Sequence, residues 1–246
     1  MKIWSAGIAV LLAVVFGLIS CEKETGITEA EPTQEIVSAS GGEFELCKTC
    51  PPGFEFTDEG VCKLRSLYQQ YSSLTDQGVG GLKTALPEVR DGFTPQQIDL
   101  GRYLFFDPIL SKDGTVSCSS CHQLEKGLAD GLDRSIGIGQ QTVKRGAPSL
   151  WNVAFLKLLF WDGRAKTLEE QMQGPLFSED EMGTTPEQLK STLNAIPNYV
   201  KMFGDAFPTK QGEEIELEEV YTAIVAFESS LISLNSRYDQ YAHGFH

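Results

Sequence analysis

Cys118-Ser119-Ser120-Cys121-His122 places two thiols and an imidazole inside one helical turn's worth of chain. C-x-x-C-H is the pattern in which two cysteines add across the vinyl groups of a haem and the following histidine lies under the iron as its proximal ligand. A redox-active C-x-x-C and half of a zinc site are the competing readings. Both are weaker, because the chain has only 3 histidines and no second C-x-x-C stands at zinc-finger spacing. Cys118 and Cys121 are therefore expected to hold one covalent haem c, with His122 as the axial ligand of its iron. The rest of the chain must then fold around a flat, apolar, iron-bearing group.

The amino terminus supports an exported setting, which this chemistry needs. Met1-Lys2-Ile3-Trp4 precedes an apolar stretch from Ala6 to Ile19 that closes on Leu18-Ile19-Ser20-Cys21, a signal peptide with a lipobox. A transmembrane anchor is the alternative, since this stretch approaches the minimum spanning length. The cysteine where the apolar run gives way to Glu22-Lys23-Glu24 favours lipidation of Cys21 after removal of residues 1–20. Acyl chains there would hold the protein at a membrane in the periplasm or cell envelope. Residues 21–45, rich in Glu, Thr, Ser and Gly without periodicity, read as a flexible tether.

About 226 residues remain after the leader, enough for one good core or two small domains. A net charge of −14 argues against a nucleic-acid partner. Such an acidic surface could steer a basic redox partner, although solubility explains it as well. Of 6 cysteines, Cys47, Cys50 and Cys62 are left once the lipid and haem positions are set aside. Cys62 is expected to pair with Cys47 or Cys50, leaving one thiol over. Cys47-Lys48-Thr49-Cys50 runs into Pro51-Pro52-Gly53 and reads as a stapled loop within residues 46–92. Leu64, Leu67, Tyr68, Tyr71 and Leu74 recur at helical spacing, which predicts a short packing helix after that loop.

From Phe93 to about residue 242 the pattern is helical. Thr94-Pro95-Gln96-Gln97 provides an N-cap, a proline at the first helical position and a capping-box glutamine. Thr167-Leu168-Glu169-Glu170 and Thr185-Pro186-Glu187-Gln188 repeat the signal. Leu217, Val220, Tyr221, Ile224, Phe227 and Leu231 make an apolar stripe on a closing helix. No strand alternation of comparable length appears. The expected class is all-α, a cytochrome c-like domain whose glycine-bearing loop between Gly127 and Gly146 wraps the haem.

Several separated runs occur in order. Leu100-Gly101-Arg102-Tyr103-Leu104-Phe105-Phe106-Asp107-Pro108 and Leu110-Ser111-Lys112-Asp113-Gly114-Thr115-Val116-Ser117 lead into the C-x-x-C-H. Asp130-Gly131, Ser135-Ile136-Gly137, Ala147-Pro148-Ser149-Leu150 and Phe160-Trp161-Asp162-Gly163-Arg164-Ala165 follow. Together, over about residues 93–242, they resemble the N-terminal half of bacterial di-haem cytochrome c peroxidases, a family that includes the methylamine-utilisation di-haem enzymes. The resemblance implies that this haem meets hydrogen peroxide, while a second, C-terminal haem collects electrons from a donor cytochrome. It also implies that Gln171 and Glu181 are the peroxide-side glutamine and glutamate, and that Trp161 lies between the two haems. Without it, Trp161 reads as core packing and Glu181 as part of a solvated face with Glu179 and Asp180.

Two positions depart from the family's pattern. Relatives that rest in a two-histidine form carry a histidine in the Ser-Ile-Gly loop where this chain has Ile138, which cannot ligate iron. The resemblance therefore implies peroxide access without prior release of a ligand. Gly146 stands where many relatives place an asparagine that helps hold calcium between the halves, so calcium is left in doubt. The family also continues past Ser236-Arg237-Tyr238-Asp239 into a second haem domain. Residues 243–246 are read as its beginning, and the chain as a fragment of a longer gene in preference to a one-haem relative.

On this reading Glu181 moves the peroxide proton, Gln171 orients the peroxide, and electrons arrive from a cytochrome or other small redox protein. A mono-haem electron carrier is the rival, and would recruit Met172, Met182 or Met202 as sixth ligand. An oxidising enzyme of the methylamine-utilisation kind is the second rival.

Overall fold

A computed structural model describes residues 45–65, 88–210, 212–234 and 236–237. The leader, most of the tether and the packing helix expected beyond residue 65 lie outside the described residues. Within them the chain is mostly helical, with six α-helices and one two-stranded sheet. No helix among the described residues is long and apolar enough to cross a membrane.

The sheet corrects the expectation of an all-helical chain. β1 (Phe54–Phe56) pairs antiparallel with β2 (Cys62–Leu64), Phe54 opposite Leu64 and Phe56 opposite Cys62. Leu64, expected to open a helix, ends a strand instead. Strands this short leave too few residues for a period of two to register. A disulfide from Cys50 to Cys62 staples the hairpin, resolving the pairing left open by the sequence. The loop is built onto the helical body: Cys62 N–H donates to Phe93 O at 2.7 Å and Cys47 N–H to Asp99 Oδ2 at 2.9 Å. Leu46, Phe54, Cys62 and Leu64 are buried in the same core as Phe93 and Ile98.

The helices are α1 (Pro95–Phe106), α2 (Cys118–Cys121), α3 (Leu168–Phe177), α4 (Pro186–Asn194), α5 (Pro197–Ala206) and α6 (Leu217–Ser229). Thr94 caps α1 as the sequence predicts, with Gln97 reaching back to the Thr94 N–H. Thr167 and Thr185 also accept from the third residue on, but their partners turn elsewhere. Glu170 accepts from Lys166 N–H, and Gln188 donates to Lys112 O, tying the start of α4 to the segment before the haem motif.

α1 and α6 pack along their lengths and make the centre of the core. Phe105 of α1 meets Phe227 of α6 with ring centroids 5.0 Å apart, between Leu104, Val220 and Ile224. Tyr199 on α5 donates to Asp107 Oδ2 at 2.6 Å and closes the C-terminal end of α1. This frame leaves the chain from His122 to Ala165 with little regular structure, held by turns, isolated bridges and a few long-range bonds such as Ile138 N–H to Glu181 O and Asn152 N–H to Leu231 O.

Candidate haem site

α2 carries both motif cysteines. Cys118 and Cys121 are free, half-buried thiols on one short helix, capped reciprocally by Ser117 and Ser120. Burial and then the nearby Glu228 carboxylate push the Cys118 thiol up to about 12. Burial, followed by Asp130, also raises Cys121.

His122 follows directly and is fixed by its ring. Nδ1 lies 2.9 Å from Leu128 O. A carbonyl only accepts, so Nδ1 carries the proton and the Nε2 lone pair is left for a metal. Burial depresses the imidazole's pKa, favouring the neutral form that ligates iron. Leu128 offers its carbonyl from left-handed backbone, φ 60°, while its side chain is wholly buried. That conformation costs a leucine on the order of 1 kcal/mol or more and is kept where the surroundings over-determine it.

The loop after His122 is pinned at two bridges, Gln123 to Ala129 and Ile136 to Thr142. Ser135 is buried and accepts at Oγ from Ala147 N–H at 3.0 Å. Ile136 O lies 3.9 Å from Cys121 Sγ. Leu124, Leu132, Ile136, Trp151, Leu156, Leu158 and Trp161 are all exposed, an unusual apolar display for loops. Paired thiols, a neutral imidazole with one free nitrogen and apolar loop surface fit a covalently held haem.

Glu181 sits in the loop after α3, half-buried. Burial first, then the charge of Asp180, raises its carboxyl above the usual range, while Arg164 and Lys144 oppose the shift. It is therefore not the freely solvated glutamate that its acidic neighbours suggest. Glu179 is exposed as expected, but Asp180 is half-buried and accepts from the Ser178 hydroxyl. Gln171 is half-buried on α3, the helix that leads into the same loop. Trp161 is 68% exposed and donates from Nε1 to Gly146 O at 3.4 Å, which removes the core-packing reading. Met172, Met182 and Met202 are each packed in the core.

Gly146 has its own packing reason. A Cβ there would fall 2.3 Å from Leu132 O, so no side-chain donor fits without a backbone shift. No cluster of three metal-ligating side chains occurs among the described residues.

Sequence reasoning missed Glu228. It is 6% exposed on α6, its Oε2 has no hydrogen-bond partner, and burial, with the charge of Glu169, raises its pKa to about 8. The available signal was a glutamate inside Val225-Ala226-Phe227-Glu228-Ser229, within a helix buried on nearly every face.

The helical frame and the C-x-x-C-H loop define a c-type haem domain. The family model described as di-haem cytochrome c peroxidase matches residues 95–246, and the chain belongs to that family. It is 42% identical over 149 residues to cytochrome c551 peroxidase of Pseudomonas aeruginosa, covering 61% of this chain and 43% of that protein. It is 38% identical over 151 residues to the methylamine utilization protein MauG of Methylorubrum extorquens, covering 61% and 42%. The crystal structure of a MauG-like protein associated with microbial copper homeostasis superposes with a TM-score of 0.60 at 35% identity, covering 67% of this chain and 50% of that one. The chain thus spans less than half the length of these two curated relatives.

Proposed function

We propose that this domain reduces hydrogen peroxide to water, taking electrons from a cytochrome or other small redox protein. The observation that carries the reading is Glu181, a half-buried carboxyl with a raised pKa, in a family whose relatives include named cytochrome c peroxidases. Peroxide, two electrons and two protons give two waters, so the protein must move a proton between the two oxygens. A haem held by Cys118, Cys121 and His122 would supply the redox-active iron for this chemistry.

Each residue then has a task. Cys118 and Cys121 would hold one haem c, and His122, a neutral imidazole oriented by Leu128, would ligate its iron. Glu181 accepts the proton of the incoming peroxide and returns it to the departing oxygen. A carboxyl held above its usual range suits that exchange, because it takes up a proton more readily than an ordinary glutamate does. Gln171 donates a hydrogen bond that orients the peroxide. Trp161, exposed beside the apolar loops, carries electrons toward the haem from a second redox centre. Lipidation of Cys21 would keep the domain at the membrane of the cell envelope, where c-type haems are attached.

The test is Glu181→Gln in the haem-loaded protein, mixed rapidly with peroxide and followed in the haem absorption band. Haem content and helicity should be unchanged and the reaction slowed about 10²-fold or more, the range for losing a general acid-base group. Glu179→Gln, an exposed neighbour, should react at the parental rate. Equal rates for Glu181→Gln and parent would refute the assignment.

A further inference from the structure

Glu181 is held by a segment of the haem loop whose other end touches the haem attachment. Ile138 N–H donates to Glu181 O at 2.8 Å. One residue earlier, Gly137 is pressed so close that a Cβ would fall 2.0 Å from Asp180 O and 2.9 Å from Glu181 Cα. One residue earlier still, Ile136 O lies 3.9 Å from Cys121 Sγ. The segment itself is braced: Gly137 N–H donates to Gln141 O at 2.8 Å, Val143 N–H to Ser135 O at 3.0 Å, and Ile136 bridges Thr142.

The far side of Glu181 is fixed as well. Met182 N–H donates to Pro175 O at 3.1 Å, Met182 O accepts from Lys112 N–H at 2.9 Å, and Gly183 N–H donates to Ser178 O at 2.9 Å. Gly183, at φ +66°, turns the chain beneath the buried Ile138 side chain. Without the haem-loop contact, the Glu181 backbone would be tied only to its own helix and to Lys112.

We infer that Gly137 and Ile138 are positioning residues, a spacer that sets the Glu181 carboxyl at a fixed place relative to the Cys121 haem attachment. The inference rests on the proposed role of Glu181 in moving the peroxide proton. Glycine is required at 137 because only a residue without a Cβ lets the two backbones approach this closely. Ile138 supplies the hydrogen bond from its backbone and a buried apolar stop from its side chain. Neither residue touches the proton; both act through where Glu181 stands.

The test is Gly137→Ala in the haem-loaded protein, alone and combined with Glu181→Gln. Pushing Glu181 away by about 1 Å should slow the peroxide reaction about 10²-fold. The acid limb of its pH profile should also move to lower pH, since a displaced, better hydrated Glu181 loses the burial that raises its pKa against Arg164 and Lys144. In the Glu181→Gln background, Gly137→Ala should cost nothing further, because the group being positioned is already gone. A parental rate and pH profile for Gly137→Ala, or losses that simply add in the double variant, would overturn the inference. A parental rate for Glu181→Gln would instead remove the reading of Glu181 on which it rests. If Gly137→Ala fails to retain haem, Gly183→Ala perturbs the turn on the other side of Glu181 through its left-handed φ of +66° rather than through a clash, and the same coupling with Glu181→Gln decides the outcome.

Discussion

His122 donates its Nδ1 proton to Leu128 O at 2.9 Å, and Leu128 holds that carbonyl in place from a left-handed backbone conformation. Motif and loop act together: the cysteines are where a haem would attach, and Leu128 leaves Nε2 as the ring nitrogen free for its iron. Chemistry that would otherwise depend on a rotating histidine is settled by five residues of backbone.

Covalent attachment follows from the two thiols. Matured with a cytochrome c assembly system, the protein should carry a mass increment of one haem that survives acid denaturation. Cys118→Ala with Cys121→Ala should lose it. An intact mass equal to the bare polypeptide in matured parent protein would remove the basis of the haem assignment.

Removing the Cys50–Cys62 bridge should destabilise the hairpin without emptying the haem site. The cysteines are 12 residues apart, and closing such a loop contributes about 3 kcal/mol through the unfolded chain. Changing both to alanine should lower the Tm by several degrees. Haem content and the peroxide reaction should stay at parental levels, since the hairpin meets α1 near Phe93 and Asp99 rather than at α2. Loss of haem would show that the staple supports the site itself.

The C-x-x-C-H, the cap at Thr94 and the closing helix were legible because each depends on neighbours in sequence. The hairpin was not, since three-residue strands carry no usable period. The pairing of Cys50 with Cys62 was left open because Cys47 is three residues away and equally plausible by spacing. Asp180 looked like a solvated neighbour of Glu179, but its burial depends on the turn at Ser178. Glu228 lies off the apolar stripe that the sequence shows, and its burial follows from α6 being enclosed almost all round. What escaped was long-range: which backbone passes over which, as Gly137 does over Asp180.

Glu228 gives stability a measurable pH dependence. Its pKa stands at about 8 in the fold against an ordinary 4.5, because burial disfavours the charge. A carboxyl with a raised folded pKa contributes its full stability below the ordinary value, and loses it as pH rises through the folded one. Between about pH 4.5 and 8 the parent should therefore lose stability that Glu228→Gln, neutral throughout, retains. Thermal melts of both haem-loaded proteins across that window should diverge, with the variant higher by several degrees at the alkaline end. Parallel curves would mean that Glu228 is hydrated or paired.

Ile138 bears on the iron as well as on Glu181. An isoleucine offers no lone pair, so the loop that reaches from Cys121 to Glu181 cannot supply a sixth ligand from this position. Met172, Met182 and Met202 are packed in the core. The resting ferric haem should accordingly be mainly high-spin and should react with peroxide without being reduced first. Ile138→His keeps the backbone N–H that binds Glu181 O but introduces an imidazole, and should shift the iron toward low spin and slow the peroxide reaction. Electron paramagnetic resonance reads the spin state and rapid mixing reads the rate on the same samples. A purely low-spin ferric centre in the parent would mean that a protein side chain already occupies the sixth position, and would favour the electron-carrier reading over the peroxidase.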